Sequence, residues 1–259
     1  MATPRVNQSV VKALKILDLL QDAHSLSAHE ISKTLALPVG TVYSILYALE
    51  QRGYVQRHNS TTGFTLGYQF LLKTHNILAK IEHLQIAKPF LYELAKKHNV
   101  NVHYAILYQW KVLYLQREMG RMPPIVSEVL GLTELPYCTA IGKALLSGLD
   151  PIEWNLYIQQ EKFIKSTPHT ITDPVQLAEE IQQVRKQGFA LSCEEAHIGV
   201  VGIGAPLHDF QGNVVAAISI SVDKYRYERE RETLVGAVIN TAGAIERQYG
   251  AIKPGTERR

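Results

Sequence analysis

The chain has 259 residues, 46% of them hydrophobic and 20% charged, and it carries a net charge of +3 at neutral pH. This length and apolar content suffice for two folded domains and exclude a disordered chain. The two cysteines, Cys138 and Cys193, are too few for a disulfide framework or a four-thiolate zinc site, so we expect free thiols. The sequence has neither a signal-peptide pattern nor an apolar run near the ~20 residues of a membrane helix, so we expect a cytoplasmic protein without a membrane partner.

Three helices are predicted at the start of the chain. Ser9 is the expected N-cap of the first helix, whose apolar face would consist of Val10, Ala13, Leu14, Leu17 and Leu20. Ser27 followed by Glu30 matches a capping box, which begins a short second helix. Pro38 suits the first turn of a third helix that ends near Arg52, because a proline there loses no helical hydrogen bond.

The third helix has an apolar and a polar face. Its buried stripe is predicted to consist of Val42, Ile45, Leu46 and Leu49, and the opposite face of Thr41, Tyr43, Ser44 and Tyr47. Two short helices joined by a tight turn indicate a helix-turn-helix, in which the second helix reads DNA. Residues 1–72 contain six basic and four acidic residues, and this slight positive charge fits a phosphate-binding domain.

A hairpin is predicted directly after the helix-turn-helix. Strand candidates at 54–57 and 64–67 flank a turn-rich segment, which is the pattern of a wing. Arg57 and His58 flank the wing tip and could reach DNA phosphates, with a solvated loop as the alternative.

A single helix is predicted from Tyr68 to about Lys88. Its apolar residues are too many for an isolated linker, so we expect it to pair with the same helix of a second subunit. A helix-turn-helix that reads a two-fold operator needs two copies ~34 Å apart, which favours a homodimer or homotetramer. Packing of this helix onto the chain's own domains is the alternative.

The rest of the chain predicts helices packed on a mainly antiparallel sheet, an α+β class. The expected strands are 100–108, 111–116, 125–129, 189–193, 199–207 and 214–222. The expected helices begin at Pro89, Thr139, Asp150-Pro151, Asp173-Pro174 and about Tyr227, and the last of them ends near Tyr249.

Many short motifs recur in a fixed order over nearly the whole chain. They include Leu37-Pro38, Thr41-Val42-Tyr43, Arg52-Gly53-Tyr54-Val55, Thr139-Ala140-Ile141-Gly142-Lys143-Ala144-Leu145-Leu146, Gly188-Phe189-Ala190, Glu194-Glu195 and Ala216-Ala217-Ile218-Ser219-Ile220-Ser221. With this order and spacing, the chain resembles the IclR family of bacterial transcriptional regulators.

The resemblance implies a winged helix-turn-helix joined by a helix to a GAF-like effector domain that binds a small molecule, often an organic or aromatic acid. The implied domains are a DNA-binding domain at 1–72, a linker helix at 73–88 and an effector-binding domain at 89–259. The DNA-binding residues are then expected to be Thr41, Tyr43, Ser44, Tyr47, Arg57 and His58. The implied effector-binding residues are Met122, Ala140, Ile141, Ser192, Gly202, Ser219 and Ser221.

Several positions depart from the family pattern. Val39 and Gly40 stand where family members often carry a basic or hydroxyl residue, and Ser44 stands where an arginine is frequent. All three are uncharged, so arginine readout of base edges is absent from the third helix. Ser192 stands where an aspartate is frequent and Gly202 where a cysteine is frequent. We expect these two changes to enlarge the effector site and remove a charge from it.

Enzyme chemistry is not expected, nor is a cofactor or a metal. The glycines at 199, 202 and 204 do not lead into a helix, so they do not form a phosphate-binding loop. Glu194, Glu195 and His197 are predicted to lie in a solvated turn rather than in an acid-base or metal site. The predicted function is a regulator that binds double-stranded operator DNA and senses a small carboxylic acid. The alternative is a small-molecule-binding or catalytic α+β protein whose winged helix mediates protein contacts.

Overall fold

The computed structural model describes residues 6–57, 62–120 and 131–250. The chain divides into two compact units, the first reaching Lys80 and the second beginning at Ile81. No helix in the described part of the chain is long and apolar enough to cross a membrane.

The first unit is a winged helix-turn-helix, as predicted. Its elements are α1 (Gln8–Gln21), α2 (Ala28–Leu35), α3 (Val39–Gln51), the antiparallel strands β1 (Val55–Arg57) and β2 (Phe64–Leu66), and α4 (Gln69–Lys80). Its core consists of Ile16, Leu20, Ala28, Ile31, Val42, Leu46, Val55 and Phe64. The capping box of α2 is present, because Ser27 Oγ accepts from Glu30 N and Glu30 Oε2 accepts from Ser27 N at 2.8 Å.

The structure corrects the prediction for α1. Asn7, not Ser9, caps the helix, because its carboxamide oxygen accepts from Ser9 N at 3.0 Å. The buried face is centred on Ile16 and Leu20, whereas Val10 and Leu14 are each 54% exposed. The predicted stripe thus joined residues from two sides of the helix.

The described residues of the second unit form a six-stranded antiparallel sheet with helices on both faces. Its strands are β3 (Asn101–Tyr108), β4 (Lys111–Glu118), β5 (Thr133–Glu134), β6 (Ala190–Cys193), β7 (Val200–His208) and β8 (Val214–Asp223), in the spatial order β5-β4-β3-β8-β7-β6. Its helices are α5 (Glu82–His98), α6 (Ala140–Leu146), α7 (Pro151–Gln160), α8 (Pro174–Gln187) and α9 (Lys224–Tyr249). The α+β class with a winged helix-turn-helix and an antiparallel-sheet domain is confirmed.

Alternation along β3 separates the two faces of this sheet. Ala105 packs in the core cluster that contains Ile141 of α6, whereas the neighbouring Tyr104 contacts Tyr249 of α9. Because adjacent residues of a strand point to opposite faces, α6 and α9 cover different faces of the sheet. The face under α6 carries the candidate effector site.

The prediction of a single helix from Tyr68 to Lys88 is wrong in its extent. The extended residue Ile81 separates α4 from a new helix, α5, and α5 continues past Pro89 without a break. Burial explains the continuity, because Leu84, Ala87 and Leu91 pack inward on both sides of the proline. The strand predicted at 125–129 lies outside the described residues.

Candidate DNA-binding surface and effector cavity

The polar face of α3 is displayed as predicted. Val42 and Leu46 are fully buried in the core of the first unit, which fixes the rotation of the helix. Tyr43 and Tyr47 are 46% and 64% exposed, Ser44 is exposed and Thr41 is half-buried. These four residues therefore share a surface that a major groove can accommodate.

The amino end of α3 differs from the prediction, because Pro38 is the N-cap rather than a residue of the first turn. Its carbonyl accepts from Thr41 N at 2.9 Å and from Val42 N at 3.1 Å. Pro38 has no side chain that could bond to the amides of the first turn, in contrast to the capping serine of α2. A phosphate is a suitable partner for such amides.

The described part of the wing contains one of the two wing residues that were predicted to contact phosphates. Arg57 Nε lies 3.2 Å from Glu50 Oε1, and its guanidinium stacks on Phe64 at 5.1 Å. The Arg57 side chain is still 66% exposed, so it remains accessible to DNA. His58 lies outside the described residues.

In the second unit, the predicted effector residues converge on one cavity. Six of them line it, namely Ala140, Ile141, Ser192, Gly202, Ser219 and Ser221. They come from four elements, α6, β6, β7 and β8, and are up to about 80 positions apart in the sequence, as residues 140 and 221 show. Met122 lies outside the described residues.

Strand register explains why the four strand residues meet. Ser192 is opposite Gly202, and Gly202 is opposite Ser221, so these three side-chain positions form one row across β6, β7 and β8. Ser219 lies two residues from Ser221 and therefore on the same face. Gly202, in the middle of the row, lies beneath Ala140 in the first turn of α6.

Two glycines let α6 approach the sheet. A Cβ atom at Gly202 would lie 3.1 Å from Ala140 Cβ, and one at Gly204 would lie 2.6 Å from Ala140 O. Thr139 caps this helix by accepting from Gly142 N at 3.1 Å, so the amides of Ala140 and Ile141 begin the helix at the cavity wall. Such amides favour an anionic ligand group.

The expectation that Ser192 and Gly202 enlarge the site relative to the family pattern stays a prediction, and in this structure both residues take part in packing. Ser192 Oγ donates to Cys138 O at 2.7 Å, and Ala140 occupies the space next to Gly202. The cavity holds about 30 Å³, room for about one water molecule. The two small residues serve close packing of α6 on the sheet.

Comparison with known proteins gives the family. A family model described as "Bacterial transcriptional regulator IclR C-terminal" matches residues 75–247, and one described as "IclR helix-turn-helix domain" matches residues 9–59. The chain belongs to the IclR family. It is therefore a transcriptional regulator with a DNA-binding helix-turn-helix and a C-terminal ligand-binding domain, not an enzyme.

Individual relatives extend the likeness over nearly the whole chain. The HTH-type transcriptional regulator XynR of Escherichia coli (strain K12) is 31% identical over 244 residues, which cover 92% of this chain and 97% of XynR. The crystal structure of the Thermotoga maritima IclR superposes with a TM-score of 0.75 at 27% identity, covering 93% of this chain and 98% of that one. An IclR homologue from Microbacterium hydrocarbonoxydans, crystallised with 4-hydroxybenzoate, shares the fold with a TM-score of 0.81 at 19% identity, covering 93% and 99%.

The cavity of this IclR-family regulator also has walls that sequence reasoning missed. They are formed by Tyr114, Glu134, Thr139, Ala196, His197 and Val200. Tyr114 OH donates to Glu134 Oε2 at 2.6 Å. Glu134 lies in a two-residue edge strand, which carries too little alternation to be recognised from sequence.

The turn at Glu194 and Glu195 is buried, not solvated as predicted. Glu195 Oε1 lies 2.7 Å from Nζ of the fully buried Lys143, and Glu194 Oε2 lies 2.6 Å from Lys224 Nζ. The hydrogen bond from Lys224, with a second from Gly199 N, lowers the pKa of Glu194, whereas burial raises the pKa of Glu195 against the opposing charge of Lys143.

These ion pairs position two walls of the cavity. Lys143 belongs to α6, and the turn that follows Glu195 supplies Ala196 and His197. Across residues 6–57, 62–120 and 131–250, no group of three His, Cys, Asp or Glu side chains is arranged to hold a metal ion.

Proposed function

We propose that this chain binds double-stranded operator DNA as a dimer or tetramer and senses a small organic or aromatic acid in its second unit. The observation that carries the proposal is the meeting of six predicted effector residues, from four elements, in one cavity. The proposed division of the chain is DNA binding by 1–72, a link through 73–88 and effector binding by 89–259. The site of action is proposed to be the cytoplasm, where the DNA is.

The chemistry of the cavity favours a carboxylic acid. Ala140 and Ile141 supply helix-terminal amides, and Ser219 and Ser221 supply hydroxyls, all of which can donate to a carboxylate. Because about 30 Å³ is less than an organic acid occupies, its binding requires the walls to move apart. The 4-hydroxybenzoate bound by the Microbacterium homologue supports an acid of this class.

On the DNA side, we assign base and phosphate contacts to Thr41, Tyr43, Ser44, Tyr47, Arg57 and His58. Of these, Tyr43, Ser44, Tyr47 and Arg57 are exposed, and Thr41 is half-buried on the polar face of α3. With no arginine in α3, the tyrosines and hydroxyls must contact thymine methyl groups, base edges and phosphates. Affinity then depends on the wing and on a second subunit.

Oligomerisation is supported by α4. None of its residues is buried. Its apolar residues Leu71, Leu72 and Ile77 are each more than 60% exposed. An amphipathic helix with three such side chains in water gains free energy by pairing. A second copy of the chain is the partner that a two-fold operator requires.

The test is a titration of DNA from the upstream region of the protein's own gene, followed by fluorescence anisotropy at several salt concentrations. We expect specific binding with a steep salt dependence, since each neutralised phosphate contributes about 0.9 to the slope of log K against log salt. Tyr43→Ala is expected to weaken operator binding about 5- to 150-fold, by the loss of ~1–3 kcal/mol of contact free energy. Tyr108→Ala, a half-exposed tyrosine in the other unit, is the matched control.

Two outcomes would overturn the DNA assignment. Loss of all preference over random DNA at moderate salt would favour a protein-contact role for the winged helix. Unchanged affinity of Tyr43→Ala in a folded protein would remove Tyr43 from the DNA-binding surface.

A further inference from the structure

An exposed histidine of α2 packs against the tyrosine that we assign to DNA contact in α3. His29 lies in the first turn of α2, and its ring is 6.5 Å from the ring of Tyr43 between centroids, with 84° between the two ring planes. This edge-to-face arrangement is one of the favoured geometries of an aromatic pair. Both side chains are exposed, so the contact lies on the surface beside the proposed DNA-binding residues.

The core and the helix cap hold the two helices that carry these rings. Ile31 of α2 and Val42 of α3 are fully buried in the same cluster, which fixes how the helices face each other. The first turn of α2, which carries His29, is fixed by the capping box of Ser27 and Glu30. The backbone on each side of the ring contact is therefore set before DNA is bound.

The side chain of Tyr43 has freedom that this contact can limit. An exposed tyrosine on a helix can adopt more than one χ1 rotamer. A side chain that becomes ordered only on binding loses conformational entropy, which weakens binding about 2- to 12-fold. The ring of His29 removes part of that freedom in the free protein. Tyr43 then meets the base edges in a set orientation, and contacts with base edges are what distinguish one sequence from another.

We propose that His29 is a positioning residue, which holds Tyr43 in the orientation that reads the operator and does not contact the DNA itself. The inference rests on the proposed DNA-binding function and adds α2 to the determinants of sequence specificity. Phosphate contacts carry no sequence information, and they set the salt dependence of binding. Loss of His29 should therefore reduce the preference for the operator and leave both binding to other DNA and the salt dependence unchanged.

The experiment measures the affinity of the full chain for two duplexes by fluorescence anisotropy at several salt concentrations. One duplex is the fragment from the upstream region of the protein's own gene, and the other is a shuffled sequence of the same length and base composition. We expect His29→Ala to weaken binding to the upstream fragment about 2- to 12-fold. Binding to the shuffled duplex and the slope of log K against log salt should not change. His169→Ala, which removes an exposed histidine of the second unit, should alter none of these values.

Two further substitutions separate the ring of His29 from its nitrogen atoms. His29→Phe keeps an aromatic ring beside Tyr43 and should retain most of the preference for the upstream fragment. His29→Gln keeps an N–H donor but has no ring, so it should lose the preference as His29→Ala does.

The dependence on Tyr43 is tested by a double-mutant cycle. If His29 acts only through Tyr43, His29→Ala should have no further effect on affinity in the Tyr43→Ala background. Effects that add fully would mean that the two residues act independently, which contradicts the positioning role.

The other outcomes separate failure of the inference from failure of the proposed function. If the unmodified protein has no preference for the upstream fragment, the proposed function fails, and the inference fails with it. A preference that His29→Ala leaves unchanged overturns the inference alone. A smaller salt slope, or a preference that His29→Gln keeps and His29→Phe loses, would mean that His29 contacts DNA itself. Should circular dichroism show that His29→Ala is unfolded, the comparison of His29→Gln with His29→Phe decides.

Discussion

At the scale of single residues, Lys143 is held on several sides in the second unit. It is fully buried, and its Nζ lies 2.7 Å from Glu195 Oε1, 3.3 Å from Glu180 Oε2 and 3.2 Å from Leu191 O. A buried ammonium costs several kcal/mol of desolvation, which is offset only if its partners stay in place. These partners hold α6 to the strand and turn that line the cavity.

Lys143→Met should destabilise the second unit by about 3–5 kcal/mol at pH 7, because Glu195 is left buried without its counterion. Both tryptophans, Trp110 and Trp154, belong to this unit, so their fluorescence in a urea titration reports its unfolding. The folded-state pKa of Glu195, raised by burial, should rise further in the variant. The folded chain then holds the proton more tightly than the unfolded chain, so the loss of stability should shrink as the pH falls from 7 towards 4.5.

A double variant serves as the control for this prediction. Lys143→Met with Glu195→Leu removes both charges and should recover much of the lost stability. If the double variant is as unstable as the sum of the single variants, the ion pair is not the cause. A loss of stability in Lys143→Met that does not depend on pH would also contradict the ion pair as the cause.

At the scale of elements, sequence rules predicted what local chemistry determines. The capping box at Ser27, the Asp-Pro starts of α7 and α8 and the Gly188 end of α8 each depend on residues within one turn, and all of them are present. The turn at Gln109 and Trp110 also forms, with both residues at positive φ as a two-residue hairpin requires. Strand register then brought the predicted cavity residues together.

What the sequence could not predict depends on contacts between distant segments. The Lys143 ion pair joins residues 52 positions apart, and the Tyr114–Glu134 bond joins residues 20 apart across an edge strand. No local pattern marks these pairs. The prediction that a helix begins at Pro89 fails for the same reason, since tertiary burial outweighs the local penalty of a proline.

Pro89→Ala tests this account of α5. Pro89 is exposed and lies inside the helix, where it lacks an N–H for the carbonyl of Gln85. Alanine should supply that hydrogen bond and stabilise the second unit by about 1–2 kcal/mol, somewhat less than the ~3 kcal/mol propensity difference because it also frees the unfolded chain. Tryptophan fluorescence in urea measures the change.

The control for Pro89→Ala is Glu93→Ala, an exposed site in the same helix, which should change stability by less than about 0.5 kcal/mol. An unchanged or lower midpoint for Pro89→Ala would mean that the surrounding packing requires the proline geometry. Pro89 would then not destabilise the native helix.

At the scale of the whole molecule, a regulator that reads a two-fold operator needs two DNA-binding domains, one from each of two copies, at a fixed spacing. The recognition helix of each copy contains no arginine, so one copy gains less affinity from contacts of this helix with base edges and phosphates. Joining two copies makes the second binding event intramolecular, which can raise the overall affinity by ~10²-fold or more. The exposed apolar residues of α4 are the surface that we assign to this pairing.

Leu71→Glu and Leu72→Glu, made together, should therefore shift the protein towards smaller species and weaken binding to a two-fold operator about 100-fold. The reason is that two carboxylates would have to be desolvated in the interface. Sedimentation velocity over a range of concentrations measures the mass, and fluorescence anisotropy measures DNA affinity. Ile152→Glu, the same kind of change at a 72% exposed isoleucine of α7, should alter neither. An unchanged mass with unchanged operator affinity would exclude α4 from the subunit interface, and the apolar face of α1 at Val10 and Leu14 would be the next surface to test.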